Sequence, residues 1–210
     1  MYTLYGSNGS GSAAIEAALA IIGAPSQLVE TASWAQNEAY ARLLEVNPLG
    51  QIPTLVLADG TVLSESAAIL IHLGLAHPDS GLLPRDGASR AQAIRGLVFI
   101  AANCYAAIGI LDYPERWCEE ADEATQKRIR AGTRSRLHLY WEMFADLFPA
   151  RPFLGGSELG ALDLHAAVVS RWAGTRPHLQ KARPMFYDTL LRIEAHPKVA
   201  PMFAKHWPGK

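Results

Sequence analysis

Between Asn47 and Ile69 the chain reads N-P-L-G-Q-I-P-T-L-V-L-A-D-G-T-V-L-S-E-S-A-A-I, and few folds accept that order of signals. An extended segment carries the Ile52–Pro53 bond. Asp59-Gly60, set between apolar runs at 52–57 and 61–63, predicts a two-residue hairpin turn. Ser64 suits a helix N-cap, and the helix it opens is expected from Glu65 to about Leu75. The first backbone N–H groups of such a helix have no intrahelical acceptor and attract a carboxylate. Glu65 adds a negative charge for an ammonium group. Together they suit a ligand carrying both, such as the α-amino-acid end of a peptide.

Upstream, the periodicity alternates. Tyr2–Tyr5 reads as a strand, and Ser12–Ile22 as a helix with Ile15, Ala18, Leu19 and Ile22 on one face and Gly23 and Pro25 as its stop. Leu28–Glu30 reads as a second strand and Trp34–Val46 as a weaker helix. Residues 77–87, rich in Pro, Gly and Asp, read as an ordered linker. Everything beyond reads as helix: Ala88–Leu111, Glu123–Phe148, Ala161–Ala173, and a last helix opening near Pro184 with a short turn near Val199. The order is βαβ, ββα, then helices only. That is an α+β unit over 1–76 followed by an all-α unit over 88–210.

Charge and composition exclude several classes. With 19 Lys+Arg against 20 Asp+Glu, the net charge of −1 gives no electrostatic footprint for nucleic acid. The 7 histidines and 2 cysteines show no metal-ligand spacing, so no metal is expected. Cys104 is expected as a buried small residue rather than a nucleophile. The N-terminus lacks a basic region and a long apolar core, and the apolar stretch Gly96–Leu111 is short for a bilayer. No signal peptide and no membrane partner are expected, and the location is expected to be cytoplasmic.

Residues 47–69 resemble the glutathione-binding segment of the cytosolic glutathione S-transferase family, N-P-x-G-Q-[IV]-P, a hairpin, then E-S-x-A-I. The resemblance implies a thioredoxin-like N-terminal domain and a helical C-terminal domain. It implies a cis Pro53, pairing of the Ile52 backbone with the cysteinyl part of glutathione, and Gln51, Glu65 and Ser66 around its γ-glutamyl end. It implies a homodimer with glutathione as co-substrate. Gly160-Ala161-Leu162-Asp163 resembles the family's S/T-x-x-D cap, with Gly160 in the capping place and Asp163 bonding back to its N–H.

The chemical task is to hold a thiol as thiolate, since a free thiol near pKa ~8.5 is mostly protonated at neutral pH. Gly6-Ser7-Asn8-Gly9-Ser10-Gly11-Ser12, between the first strand and helix, offers hydroxyls, amides and a helix start. Where the bacterial class reads P-G-S-C-S this chain reads N-G-S-G-S, so Gly11 occupies the cysteine position. The activating group is then Ser10, or Tyr5 at the end of the first strand, or Asn8 or a backbone amide. The alternative is that these residues only shape a turn. Asn103, Tyr105, Ile108 and Tyr113, with Trp117 or Trp172, are the expected lining of an electrophile site between the halves, although core packing also explains such residues. The expected function is conjugation of glutathione to a small apolar electrophile, in detoxification or metabolism. Its rivals are a glutathione-dependent disulfide or peroxide reductase, which Gly11 disfavours in its monothiol form, and a non-catalytic binding protein on the same fold.

Overall fold

The computed structural model describes residues 1–32 and 34–209. Four strands form one sheet in the order β2-β1-β3-β4: β1 is Tyr2–Gly6, β2 Ser26–Glu30, β3 Thr54–Val56 and β4 Val62–Leu63. β1 runs parallel to β2 and antiparallel to β3, which pairs antiparallel with β4. This is the expected βαβ–ββα order. The hairpin differs in one residue: Leu57 N–H donates to Thr61 O at 2.8 Å and Gly60 N–H to Leu57 O at 3.1 Å. The loop is therefore the three residues Ala58-Asp59-Gly60, with Gly60 at φ 87° as the left-handed residue that closes it.

Helix α1, Ser12–Ile22, forms where its spacing predicts and stops at Gly23, left-handed at φ 65°. Ala13, Ala14, Ala17 and Ala18 are all buried beside Ile15 and Leu19, because α1 lies between the sheet and three other helices. Helix α2 begins later than its periodicity suggests, at Glu38–Val46, because Asn37 caps it by accepting the Tyr40 N–H at 3.0 Å, and Trp34 stays outside it, exposed. Helix α3 spans Ser66–Ala76, with Glu65 rather than Ser64 at the capping position.

The helical half opens with α4, Gly87–Phe99, capped by Asp86. It continues through a π-helical turn, Ile100–Tyr105, into α5, Ala106–Asp112. The sequence suggests one regular helix there; the widened turn changes the direction in which the residues around 105 point. By length and composition the run Gly87–Asp112 could cross a bilayer. Its Leu97, Ile100, Cys104 and Leu111 are instead buried in the core, and burial pushes the Cys104 thiol well above its usual range. Helix α6, Glu123–Leu147, brings Trp141 and Phe144 into that core, stacked with Phe148 and Phe186.

Helix α7 stops at Val169 (Ala161–Val169), short of the expected Ala173. Ala173 and Gly174 take positive φ, and a separate helix α8, Thr175–Ala182, follows. Arg176 on α8 fixes this break by donating to Ser170 Oγ and Ala167 O, both at 2.8 Å, and by sharing Glu194 with Arg171. That cluster of charges is not visible in local periodicity. Helices α9, Pro184–Glu194, and α10, Ala200–His206, complete the chain, and α10 is a full element where only a turn is expected.

Asp163 acts as its spacing requires. Its carboxylate accepts from Gly160 N–H at 3.0 Å and from Leu154 N–H at 2.8 Å, fully buried. Burial pushes its carboxyl up to about 6 despite those donors. Gly160 is glycine because a Cβ there would stand 3.0 Å from Leu82 O, and the next amide, Ala161 N–H, donates to the same carbonyl at 2.8 Å. The linker is thus pinned to the start of α7. Asp163→Ala strips the acceptor from two amides and is expected to cost about 2–6 kcal/mol, at about 1–3 kcal/mol for each buried donor left unpaired. The urea midpoint of unfolding measures it, and an unchanged midpoint would contradict this account.

Candidate functional site

The Ile52–Pro53 bond is cis. Asn47, buried, holds the loop that presents it: Nδ2 donates to Gln51 O at 3.2 Å and to Thr54 Oγ1 at 2.9 Å, while Thr54 Oγ1 donates to Gln51 O at 2.8 Å. Asn47 Oδ1 also takes the Leu49 N–H at 3.1 Å. This leaves the Ile52 N–H and C=O with no hydrogen bond among the described residues, as an extended peptide arriving alongside would need. Asn47 carries no label in the sequence reading. Its signal is the short polar side chain before Pro48, a residue type that bonds to backbone nearby.

Glu65 stands at φ 64°, ψ 106°, a conformation non-glycine residues seldom adopt and one that costs about 1–3 kcal/mol. No side chain caps α3, so the amides of its first turn are left open, with the Ser66 side chain beside them. Gln51, Glu65 and Ser66 line one end of a cleft of about 880 Å³, with Ile52 and Pro53 along its floor.

The glycine-rich turn forms the adjoining wall. Ser10 lines the cleft, but its hydroxyl donates back to Ser7 O at 2.7 Å, accepts the Ser12 N–H at 3.2 Å, and lies 2.9 Å from Ser12 Oγ. Its proton and its acceptor face are both engaged within the turn. Gly9 N–H donates to His206 Nδ1 at 3.1 Å, and His206 Nε2 lies 2.8 Å from Glu16 Oε1, so α10 braces the turn from behind. Burial pushes the Glu16 carboxyl up, but hydrogen bonds from His206 and Lys205 more than offset it and hold it below its usual range. Gly11 N–H has no acceptor among the described residues.

A larger residue at position 11 would require Tyr105 to move. A Cβ on Gly11 would meet the Tyr105 hydroxyl at 2.5 Å and Pro53 Cδ at 3.3 Å. The π-helical turn delivers Tyr105 to this point, with its ring against Trp172 (centroids 5.5 Å apart). Burial first, and the charges of Glu65 and Asp112 after it, push the Tyr105 hydroxyl up to about 12, so it keeps its proton at neutral pH and remains a donor. It makes no hydrogen bond among the described residues.

Ile108, Tyr113, Trp117 and Trp172 line the same cleft with Tyr105. Two residues proposed from sequence lie outside it. Tyr5 is held in β1 between Val29 and Thr54, and Asn103 donates to Phe99 O on its own helix at 3.0 Å. Asn8 is exposed and also outside the cleft. Three cleft residues had no sequence signal, namely Arg116, Arg130 and Arg134, because their helical spacing reads as an ordinary solvated face. Among the described residues no group of three or more His, Cys, Asp or Glu is placed to hold a metal ion.

Comparison with known proteins agrees with this geometry. The glutathione S-transferase N-terminal domain model matches residues 12–75. The uncharacterized GST-like protein YncG of Escherichia coli K12 is 33% identical over 174 residues, 82% of each chain. The glutathione transferase of Methylococcus capsulatus superposes with a TM-score of 0.75 at 30% identity, over 98% of each chain. A Sulfitobacter glutathione transferase homolog, solved with bound glutathione, shares the fold with a TM-score of 0.84 at 23% identity, also over 98% of each chain. A thioredoxin-like sheet, an open cis-Pro loop and an uncapped α3 are thus joined to a helical half with relatives along most of its length: the chain belongs to the glutathione S-transferase family.

Proposed function

We propose that the cleft binds glutathione and delivers its thiolate to a small electrophile with an apolar body. The observation that carries this reading is the row of unspent backbone and side-chain groups along one wall. The open amides of α3 and Ser66 suit the γ-glutamyl carboxylate, with Glu65 and Gln51 toward its ammonium, and the Ile52 N–H and C=O suit the cysteinyl backbone. A cysteine bound there would bring its sulfur toward Gly11 and the Tyr105 hydroxyl.

Two donors are then free to stabilise S⁻, the Tyr105 O–H and the Gly11 N–H. Ser10, the first choice from sequence, acts through the turn by fixing the amide beside it, since its own proton is engaged. The thiolate forms a C–S bond with the electrophilic carbon, and the displaced pair leaves with the leaving group or moves onto a conjugated carbonyl. Catalysis is orientation together with a lowered thiol pKa. Tyr5 remains a weaker choice for the donor because it does not reach the cleft. A monothiol reductase would need a thiol at position 11, where this chain has glycine and where a side chain would displace the Tyr105 hydroxyl. The same reading includes a cytoplasmic homodimer, in which Leu75 on α3 and Val98 on α4, both exposed, would be covered.

Calorimetric titration with glutathione, followed at 240 nm for bound thiolate, tests the proposal. Binding in the micromolar-to-millimolar range with a thiolate band at neutral pH is expected, and no binding would sink it. A donor to S⁻ favours the charged form, so its loss raises the thiol pKa. Tyr105→Phe is expected to raise the bound thiol pKa by about one unit, worth about 1.4 kcal/mol, with a smaller effect from Ser10→Ala. The opposite ranking would return the role to Ser10. Glu65→Gly is expected to raise stability by about 1 kcal/mol through relief of the positive φ, while weakening glutathione about tenfold. Weakened stability in that variant would show that the conformation is not strained. Light scattering in solution is expected to give twice the chain mass, and a monomer at micromolar concentration would refute the dimer.

A further inference from the structure

The cleft is not lined by apolar residues alone. Arg116, Arg130 and Arg134 line it, in a chain whose net charge is −1, and the acidic side chains among its lining residues are Glu65 and Asp112. Arg130 and Arg134 lie four apart on α6 and share a face. Arg130 is half-buried and anchored: its Nε donates to Leu111 O at 3.2 Å and Nη1 reaches Gln126 at 3.5 Å. Arg116 Cζ stands over the Tyr113 ring, 4.0 Å from its centroid. None of the three forms an ion pair with a carboxylate within 4 Å among the described residues, whereas Arg42, Arg85, Arg171, Arg176 and Arg183 each do. Burial pushes the Asp112 carboxyl up from its ordinary range, against the pull of Arg130.

Planar guanidinium groups with unspent N–H donors, next to aromatic faces, match a carboxylate carried on a flat apolar body. We propose that the electrophile is an anionic aromatic or conjugated acid, its carboxylate held toward Arg116 and Arg134 and its reactive carbon toward the Tyr105 hydroxyl. This rests on the transferase reading and narrows its substrate class. For a conjugated keto acid the step balances without a further reactant. The thiolate forms a C–S bond at the β-carbon, the alkene pair moves onto the carbonyl oxygen as an enolate, and the α-carbon then takes a proton from water. Arg130, fastened to Leu111 O, serves to position the others.

The test separates anion recognition from thiol chemistry. Binding of unreactive 4-oxo-4-phenylbutanoate and of its neutral amide is measured by calorimetry, and rates with glutathione are measured for 4-oxo-4-phenylbut-2-enoate and its ethyl ester, each divided by the uncatalysed rate. The acid is expected to bind about tenfold more tightly than the amide, and less so as salt rises from about 0.05 to about 0.5 M. The preference should survive Arg134→Lys, vanish in the Arg116→Ala/Arg134→Ala double variant, and reverse in Arg134→Glu. The corrected rate should favour the acid over the ester by a similar factor. Equal affinity for acid and amide, or a preference indifferent to these substitutions, would overturn the inference while glutathione binding stood. A preference for the acid in a protein that does not bind glutathione would support the anion site and remove the transferase reading instead.

Discussion

The close packing of α1 governs the rest of the molecule. Its alanines bring the sheet on one side and α3, α7 and α10 on the others to within backbone-to-backbone reach. A larger residue at any of them would be overpacked in a dense interior and would push an element outward. Because α1 begins at the glycine-rich turn, that packing also sets where Gly11 stands relative to Pro53 from one half and Tyr105 from the other. The wall of the cleft around Gly11 is therefore placed by core packing.

The lining of the cleft brings together the uncapped start of α3, the carboxylates of Glu65 and Asp112, the proton-bearing hydroxyl of Tyr105 and three guanidinium groups. A helix terminus and fixed donors need no rearrangement to receive a negative group, which is what preorganisation means for a developing charge. The Glu16–His206–Gly9 chain adds a brace: the Nδ1 that accepts from Gly9 leaves the ring proton on Nε2, facing the Glu16 carboxylate. The last helix thus holds the first turn.

What could be read in advance was what depends on neighbours in sequence. The N-P-L-G-Q-I-P run, the glycine stop of α1 and the Gly160–Asp163 cap all act within a few residues, and each appears in the structure. The misjudged features depend on distant partners or on a single backbone step. Arg176 and Glu194 end α7 from elsewhere in the chain, and Asn37 displaces the start of α2 by capping it. The hairpin holds one residue more than its Asp-Gly pair suggests. At the site, Gln51, Ile52, Pro53, Glu65 and Ser66 line one cleft, whereas Tyr105 is legible in sequence only as a cleft-lining aromatic, because a π-helical turn has no periodicity of its own to betray where it points a side chain.

The contact between Gly11 and Tyr105 bears on how this chain can evolve. A cysteine at position 11 would collide with the hydroxyl already there, and shortening Tyr105 first would leave the glycine turn facing an empty space without its donor. Positions 11 and 105 are therefore sterically coupled: the room for a side chain at one depends on where the phenol of the other lies. A change at either is expected to be read most clearly against a compensating change at the other.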